Sequence, residues 1–323
     1  MTSPGLPFDV AAQVRAAEAR ARPYLLTTPL VPAVGLTAEI GSPVMLKCEN
    51  LQHTGSFKAR GAVSKVLSLA EAELARGVIT ASTGNHGAAV AYAGALLGVE
   101  PLVVVPQNAN PSKLAAIARL GGRIEVQGND SVDSELAARR LAAERGLTFV
   151  SPYNDPAIIG GQGTLGLELL DQVGDLGTVF VAVGGGGLAS GVAGIIKALA
   201  PATKIIGCSP AASAVMYHSL RAGRILELPS EPTLSDGTAG GVEPGAVTFD
   251  ILGSVLDDFV TVEEDDIRGA FLDLVEVEHL LVEGSAAMAY AAARAHGRRE
   301  SGTTVVILCG GNVGVENLRR ILG

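Results

Sequence analysis

Four short segments set reactive or polar groups at the turn between an apolar run and a helix-forming run. The first is Glu49-Asn50-Leu51-Gln52-His53-Thr54-Gly55-Ser56-Phe57-Lys58-Ala59-Arg60-Gly61, with a lysine directly after a Gly-Ser-Phe turn. Such a lysine is an ordinary solvated residue unless it sits in a cleft, where desolvation lowers its pKa and makes it an amine nucleophile or base. The second, Ser82-Thr83-Gly84-Asn85-His86-Gly87, presents successive backbone N–H groups near a helix N-terminus, which suits a carboxylate. The third, Gly184-Gly185-Gly186-Gly187-Leu188, follows the apolar run from Thr178 to Val183 and opens a helix, which suits a phosphate. The fourth, Cys309-Gly310-Gly311-Asn312, ends the last apolar run and reads equally as a tight turn over a buried, inert thiol. Taken singly, each segment also reads as ordinary capping or packing.

The glycine turn lacks the GxxxxGK[ST] spacing of a nucleoside-triphosphate loop. No acidic residue closes the next apolar run, Lys204 to Pro210, where a dinucleotide fold needs one to hold a ribose. A phosphate without a ribose is the sharper reading.

The elements that must position these turns repeat from end to end: a short β-branched run, a small or polar turn, then an alanine-rich helical stretch. The units start at Gly77, Pro101, Arg123, Thr178, Lys204 and Thr304. Strands apolar on both faces that alternate with helices predict a doubly wound α/β fold, with parallel sheets covered by helices. Residues 149–166, with two prolines and four glycines, are the expected crossing between two lobes, and Leu228 to Gly245 an irregular stretch. Thr261 is expected to cap a helix whose first turn is acidic.

The 323 residues include 41 glycines, 4% aromatics and no tryptophan, so the core must be aliphatic. A charged fraction of 18% with 48% hydrophobic residues excludes a disordered chain. The net charge of −9 leaves no footprint for nucleic acid or an anionic membrane. Cys48, Cys208 and Cys309 are far apart and unpaired by motif, which fits a reducing compartment. With no signal-type N-terminus and no long apolar run, a cytoplasmic protein is expected.

Together and in this order, the four segments resemble the fold-type-II pyridoxal-phosphate enzymes, specifically the threonine/serine dehydratase and serine racemase group. The resemblance runs from about Pro23 to the C-terminus, and ENLQHTGSFKARGA is its most specific element. It implies a two-domain, tryptophan synthase β-like α/β fold. Residues 1–52 and 152–323 would form a large cofactor-binding domain and residues 53–151 a small mobile one. It implies pyridoxal 5'-phosphate on Lys58 as a Schiff base, with Lys58 and Thr83 as catalytic residues. Phe57, Asn85, Gly184, Gly185, Gly186, Gly187, Leu188, Glu283, Cys309 and Gly310 would contact the cofactor. Ser82, Thr83, Gly84, Asn85 and His86 would hold the substrate. Glu283 also reads as a helix-capping acid.

The implied reaction is β-elimination of L-threonine or L-serine to a 2-oxo acid and ammonia. Racemases of the group carry Ser where this chain has Thr83, so serine racemisation is secondary. A dehydratase of another 3-hydroxy amino acid, cysteine-synthase-like β-replacement and a non-catalytic ligand-binding module remain as alternatives. Ser209 and Val215 stand where relatives carry the Glu and Asp of a cation site, and the His279/Glu283 pair makes no site by itself, so no metal is expected. Contacts to the substrate side chain are expected from Tyr153-Asn154-Asp155 and from Asp236 to Gly241. A homodimer is a family-level expectation. The sequence ends at Gly323, soon after Gly311, so the regulatory domain of biosynthetic threonine deaminases, and inhibition by isoleucine, are not expected.

Overall fold

The computed structural model describes residues 6–298 and 301–323. Residues 1–5 and 299–300, which belong to the expected large domain, lie outside the described residues. Among the described residues, the β-branched runs form ten strands in two sheets. They are β1 (Leu30–Pro32), β2 (Val44–Cys48), β3 (Val78–Ala81), β4 (Leu102–Val105), β5 (Arg123–Val126), β6 (Thr148–Phe149), β7 (Leu176–Ala182), β8 (Lys204–Pro210), β9 (Asp258–Val262) and β10 (Thr303–Leu308). The six-stranded sheet has the order β1-β2-β10-β7-β8-β9 and the four-stranded sheet β5-β4-β3-β6. Every pairing is parallel except that of the edge strand β1, which runs antiparallel to β2.

All four residues of β4, and the last five of both β7 and β10, are buried on both faces, as a parallel sheet covered by helices requires. Each of β3, β4, β5, β7 and β10 leads through a polar or glycine turn into a helix: Asn85–Leu96, Pro111–Arg119, Ser131–Arg145, Gly187–Leu199 and Val315–Leu322. Asn110, Asp130 and Asp155 cap their helices by accepting first-turn N–H groups. Residues 224–245 carry neither helix nor strand.

Two local expectations are corrected. Thr261 lies within β9; the acidic first turn Glu264-Asp265-Asp266 belongs to helix Glu264–Glu276, whose N-cap position is Glu263, and Glu263 makes no side-chain cap bond. The expected crossing segment is mostly helix: Pro156–Gln172 starts at the Asp155 cap and contains the glycines Gly160, Gly161, Gly163 and Gly166. Those glycines are needed for approach rather than for bending. A Cβ on Gly161 would stand 2.5 Å from the Arg60 carbonyl, and one on Gly163 would stand 2.7 Å from the Gly191 carbonyl. The helix joins the two cores, because Ile158 packs with the helix Lys58–Leu67 and Ile159 with the large aliphatic core.

Gly191, in helix Gly187–Leu199, meets the Pro156–Gln172 helix most tightly: an added Cβ would come 2.2 Å from the Ile159 carbonyl. Gly191→Ala is therefore expected to destabilise the fold by about 2 kcal/mol or more, since backbone faces backbone and neither side can rotate away. Urea unfolding checks this; a midpoint equal to that of the natural protein would show that the two helices can separate at little cost.

Candidate active site

The segment carrying Lys58 is laid against the end of β10. Ser56 pairs with Gly310 as an isolated antiparallel bridge, the Phe57 N–H donates to the Cys309 carbonyl at 3.0 Å, and the Gly311 N–H donates to the Gly55 carbonyl at 2.9 Å. Gly55 adopts φ +72°, which its turn requires and an L side chain would resist. Lys58 opens the helix Lys58–Leu67, and its Nζ donates to the Pro152 carbonyl at 2.8 Å, with the Phe57 ring centroid 5.2 Å away. Burial pushes the amine down to about 8, against the opposing pull of Glu283 and Cys309. About a tenth of the amines are then neutral at pH 7, against well under a thousandth for an ordinary lysine.

Beneath the lysine a buried carboxylate gathers three segments. Glu283 holds the N-cap position of helix Gly284–His296, yet its side chain makes no cap bond there. Instead both its oxygens accept from Asn85 Nδ2, at 3.1 and 2.8 Å, and Oε1 also accepts from the Cys309 thiol at 3.7 Å. Asn312 Nδ2 in turn donates to Asn85 Oδ1 at 2.7 Å and to the Thr54 carbonyl at 2.8 Å. A Cβ on Gly310 would come 2.7 Å from the Glu283 carboxylate, so glycine makes room for it. Burial raises Glu283 to about 7, with the Asn85 amide as the main opposing influence. Burial and the neighbouring carboxylate push the Cys309 thiol well above its ordinary value, so it stays protonated.

The glycine turn is walled by the residues that follow Pro152. A Cβ on Gly185 would meet the Tyr153 ring at 2.4 Å, one on Gly187 would meet Tyr153 Cα at 3.0 Å, and one on Gly184 would meet the Thr238 carbonyl at 2.8 Å. Gly186, at φ +90°, is the N-cap of helix Gly187–Leu199. The acceptor of the lysine and the wall of the glycine turn are thus adjacent residues. Farther along the irregular stretch 224–245, Asp236 pairs with Lys113 at 3.7 Å and Glu243 with Arg139 at 2.7 Å; both cations lie on helices of the four-stranded sheet.

The Ser82–Gly87 turn follows β3, with Gly84 at the N-cap of helix Asn85–Leu96. The Ser82 hydroxyl accepts the Gly84 N–H at 3.1 Å, and Thr83 is half-buried beside it. First-turn N–H groups have no acceptor within their own helix and so are available to an anion. The His86 ring is buried and engaged elsewhere: its Nε2–H donates to the Val150 carbonyl at 3.0 Å, and desolvation lowers it to about 3, which keeps it neutral.

The structure thus brings together Phe57, Lys58, Asn85, Glu283, Cys309 and Gly310 by direct contacts, and links the Gly184–Leu188 turn to them through Pro152 and Tyr153. These residues fit a phosphorylated aldehyde cofactor. An amine of lowered pKa suits the aldehyde, a helix N-terminus the phosphate, and a protonated thiol an unprotonated ring nitrogen. The buried Ser56 hydroxyl, beside the lysine segment, has no partner among the described residues. Sequence reading missed the side chain of Asn312, although it ends the fourth segment: a polar residue directly after a strand-end Gly-Gly is the signal that could have found it. Ser209 donates to the Val183 carbonyl at 2.7 Å. No cluster of three or more His, Cys, Asp or Glu side chains able to hold a metal is present among the described residues, and no helix among them is long and apolar enough to cross a membrane.

Residues 22–310 match the family model described as pyridoxal-phosphate dependent enzyme. The chain is 39% identical over 314 residues to an L-threonine ammonia-lyase of Geobacter sulfurreducens, covering 97% of this chain and 77% of that protein. It is 36% identical to a serine racemase of Oryza sativa subsp. indica, covering 93% of this chain and 90% of that protein. The fold superposes on the processed form of threonine deaminase isoform 2 from Solanum lycopersicum with a TM-score of 0.93 and 34% identity, covering 98% of this chain and 93% of that one.

The environment of Lys58 predicts how it titrates. Competitive labelling of the cofactor-free protein with acetic anhydride, read by mass spectrometry, should give a midpoint for Lys58 near 8, its reactivity rising as pH rises and levelling above that point. A midpoint above 10, like those of the exposed lysines, would show that the cleft does not dry the amine.

Proposed function

The chain belongs to the pyridoxal-phosphate dependent enzymes, and on that premise we propose that it is an ammonia-lyase that converts L-threonine to 2-oxobutanoate and ammonia. One observation carries the reading: the segment of a buried lysine, its pKa lowered to about 8, is laid against the strand end that carries a cysteine thiol held protonated. Lys58 would carry the cofactor, Gly184 to Leu188 its phosphate, and Asn85 and Cys309 the polar edge of its ring, with Phe57 along it. When bound, the cofactor supplies a conjugated system that accepts negative charge from the substrate Cα.

The remaining work falls to the chain. The Ser82–His86 turn holds the substrate carboxylate on first-turn N–H groups. The Lys58 amine would take the Cα proton as general base. Cys309, being neutral, offers no negative charge to keep a proton on the ring nitrogen, as an aspartate would. Charge at Cα would therefore be stabilised weakly, and the β-hydroxyl would leave as water on taking up a proton, which balances the one that Lys58 removes. The water lost in elimination is regained on hydrolysis, so threonine leaves as one 2-oxo acid and one ammonia.

Serine is the second substrate of this reading, and serine racemisation the second activity, supported by the similarity to serine racemases. Thr83 would serve as the acid on the opposite face of Cα, with its methyl group crowding that face. The reading extends to domain motion: residues 53–151 would move as a unit over the large domain expected from residues 1–52 and 152–323, and the Lys113–Asp236 and Arg139–Glu243 pairs support closure there. It also takes in a cytoplasmic homodimer. Three buried free thiols support a reducing compartment. The exposed Val34, Leu51, Val277 and Leu281 support a buried contact between copies; their segments are tied together where the Val34 N–H meets Glu278 and Asn50 meets the Leu281 carbonyl.

Purified protein given the cofactor should turn yellow, and L-threonine should release 2-oxo acid measurable by a coupled dehydrogenase. Lys58→Ala should lower that rate by roughly a thousandfold or more and abolish borohydride trapping of the cofactor. Protein that takes up no added cofactor, or a Lys58→Ala variant as active as the natural chain, would overturn the proposal.

A further inference from the structure

Two residues beyond Lys58 lies the largest fully buried side chain of the structure, Arg60. Its guanidinium makes a two-point contact with Glu49, Nε to Oε2 at 2.7 Å and Nη2 to Oε1 at 2.8 Å. It makes a second with Glu168, Nη1 to Oε1 at 2.7 Å and Nη2 to Oε2 at 2.9 Å, and donates to the Thr164 hydroxyl at 3.1 Å. Lys47 Nζ, equally buried, also donates to Glu168, and the Thr28 hydroxyl donates to Glu49 at 2.6 Å. Desolvation by itself would weaken these charges. The two carboxylates instead raise Arg60 above its ordinary value, and the two cations hold Glu168 down at about 2. Arg60 and Glu168 are therefore held in their charged forms.

Placement gives this cluster a purpose beyond cohesion. Glu49 directly follows β2, and Arg60 lies in the first turn of the helix that Lys58 opens, so their fork closes the loop that carries the lysine at its entrance and its exit. The middle of that loop is already fastened to Cys309–Asn312. Glu168 lies on the helix Pro156–Gln172, capped by Asp155, three residues after the carbonyl that accepts from Lys58 Nζ. Lys65, farther along the Lys58 helix, pairs with that same Asp155 at 2.7 Å. The lysine backbone and the acceptor of its amine are thus referred to one helix, and Arg60 is the rigid link.

We propose that Arg60 is a positioning residue, whose forked contacts with Glu49 and Glu168 hold the first turn of the Lys58 helix so that the amine is presented to the cofactor. The inference rests on the reading of Lys58 as the cofactor-binding lysine. A lysine in place of Arg60 keeps the charge but cannot make two forks at once. A purely cohesive cluster would respond alike to loss of either buried cation. A positioning device responds to the one on the lysine's own helix.

The experiment follows the rate at which added pyridoxal phosphate becomes trapped by borohydride, together with the visible absorption of the loaded protein and its thermal midpoint. Arg60→Lys is expected to slow trapping by about tenfold or more. Lys47→Met, which removes an equally buried partner of Glu168 from β2, should lower the thermal midpoint yet leave trapping within about twofold of the natural chain. Should Arg60→Lys fail to fold, Glu49→Gln, which leaves the Glu168 fork in place, decides by the same criterion. Trapping at the natural rate in the folded Arg60 or Glu49 variant overturns the inference, as does an equal loss in Lys47→Met. If the natural protein itself traps nothing, the proposed function falls, which separates that failure from this one.

Discussion

An amine can serve as a nucleophile near neutral pH only if the fold keeps it dry without pairing it tightly to a carboxylate. Much of this structure answers to that constraint. Lys58 stands where a loop from the end of β2, the end of β10 and the residues after β6 converge, and its nearest acceptor is a carbonyl, not an anion. A carbonyl orients the amine while adding little of the charge that would hold its proton. Desolvation therefore wins over attraction, and the net fall from the ordinary lysine value corresponds to about 3 kcal/mol against the charged form.

The nearby carboxylate shows the same balance from the other side. Glu283 opposes the fall of the lysine, but it is itself buried and drawn up to about 7, so its pull does not win over desolvation. Its oxygens are spent on the Asn85 amide and the Cys309 thiol rather than on Lys58. Both groups drift toward neutrality, so neither locks the other as a full ion pair. The cluster around Arg60 is arranged in the opposite way, with both forks of the guanidinium filled by carboxylates. Strong pairing is used where position matters, and weak pairing where a proton must move.

Much of this was legible in the sequence because the informative residues are local. A glycine or small polar residue after a β-branched run marks the end of a parallel strand, and five such turns lead into the helices described. Reading failed where meaning depends on a distant partner. Thr261 has the chemistry of a cap, but pairing with β8 draws it into β9. Gly160, Gly161, Gly163 and Gly166 look like breakers, yet each allows another backbone or side chain within 3 Å, and packing overrides their poor helix propensity. Arg60 reads as one more surface arginine until Glu49 and Glu168 are brought to it from 11 and 108 residues away. Glu283 carries two readings in the sequence, cofactor contact and helix cap; it stands at the cap position, and Asn85, 198 residues earlier, accounts for its turning inward.

The glycine turn shows how one residue type can meet two demands. Read from sequence, Gly184 to Gly187 are an open surface for a phosphate. In the structure Tyr153 and Thr238 occupy the space that side chains on three of them would take, so glycine there serves the protein's own packing first. The two demands are compatible because they use different atoms: Tyr153 needs the missing Cβ, whereas an anion needs the N–H groups at the head of helix Gly187–Leu199. Tyr153 is also bonded covalently to Pro152, the acceptor of Lys58, and its hydroxyl accepts the Glu243 N–H at 2.8 Å. A shift of the lysine's acceptor would therefore move the wall of the anion turn and disturb the irregular stretch 224–245. Amine and anion positions are set by neighbouring residues of one short segment, so their spacing is fixed locally rather than by the packing of the two sheets.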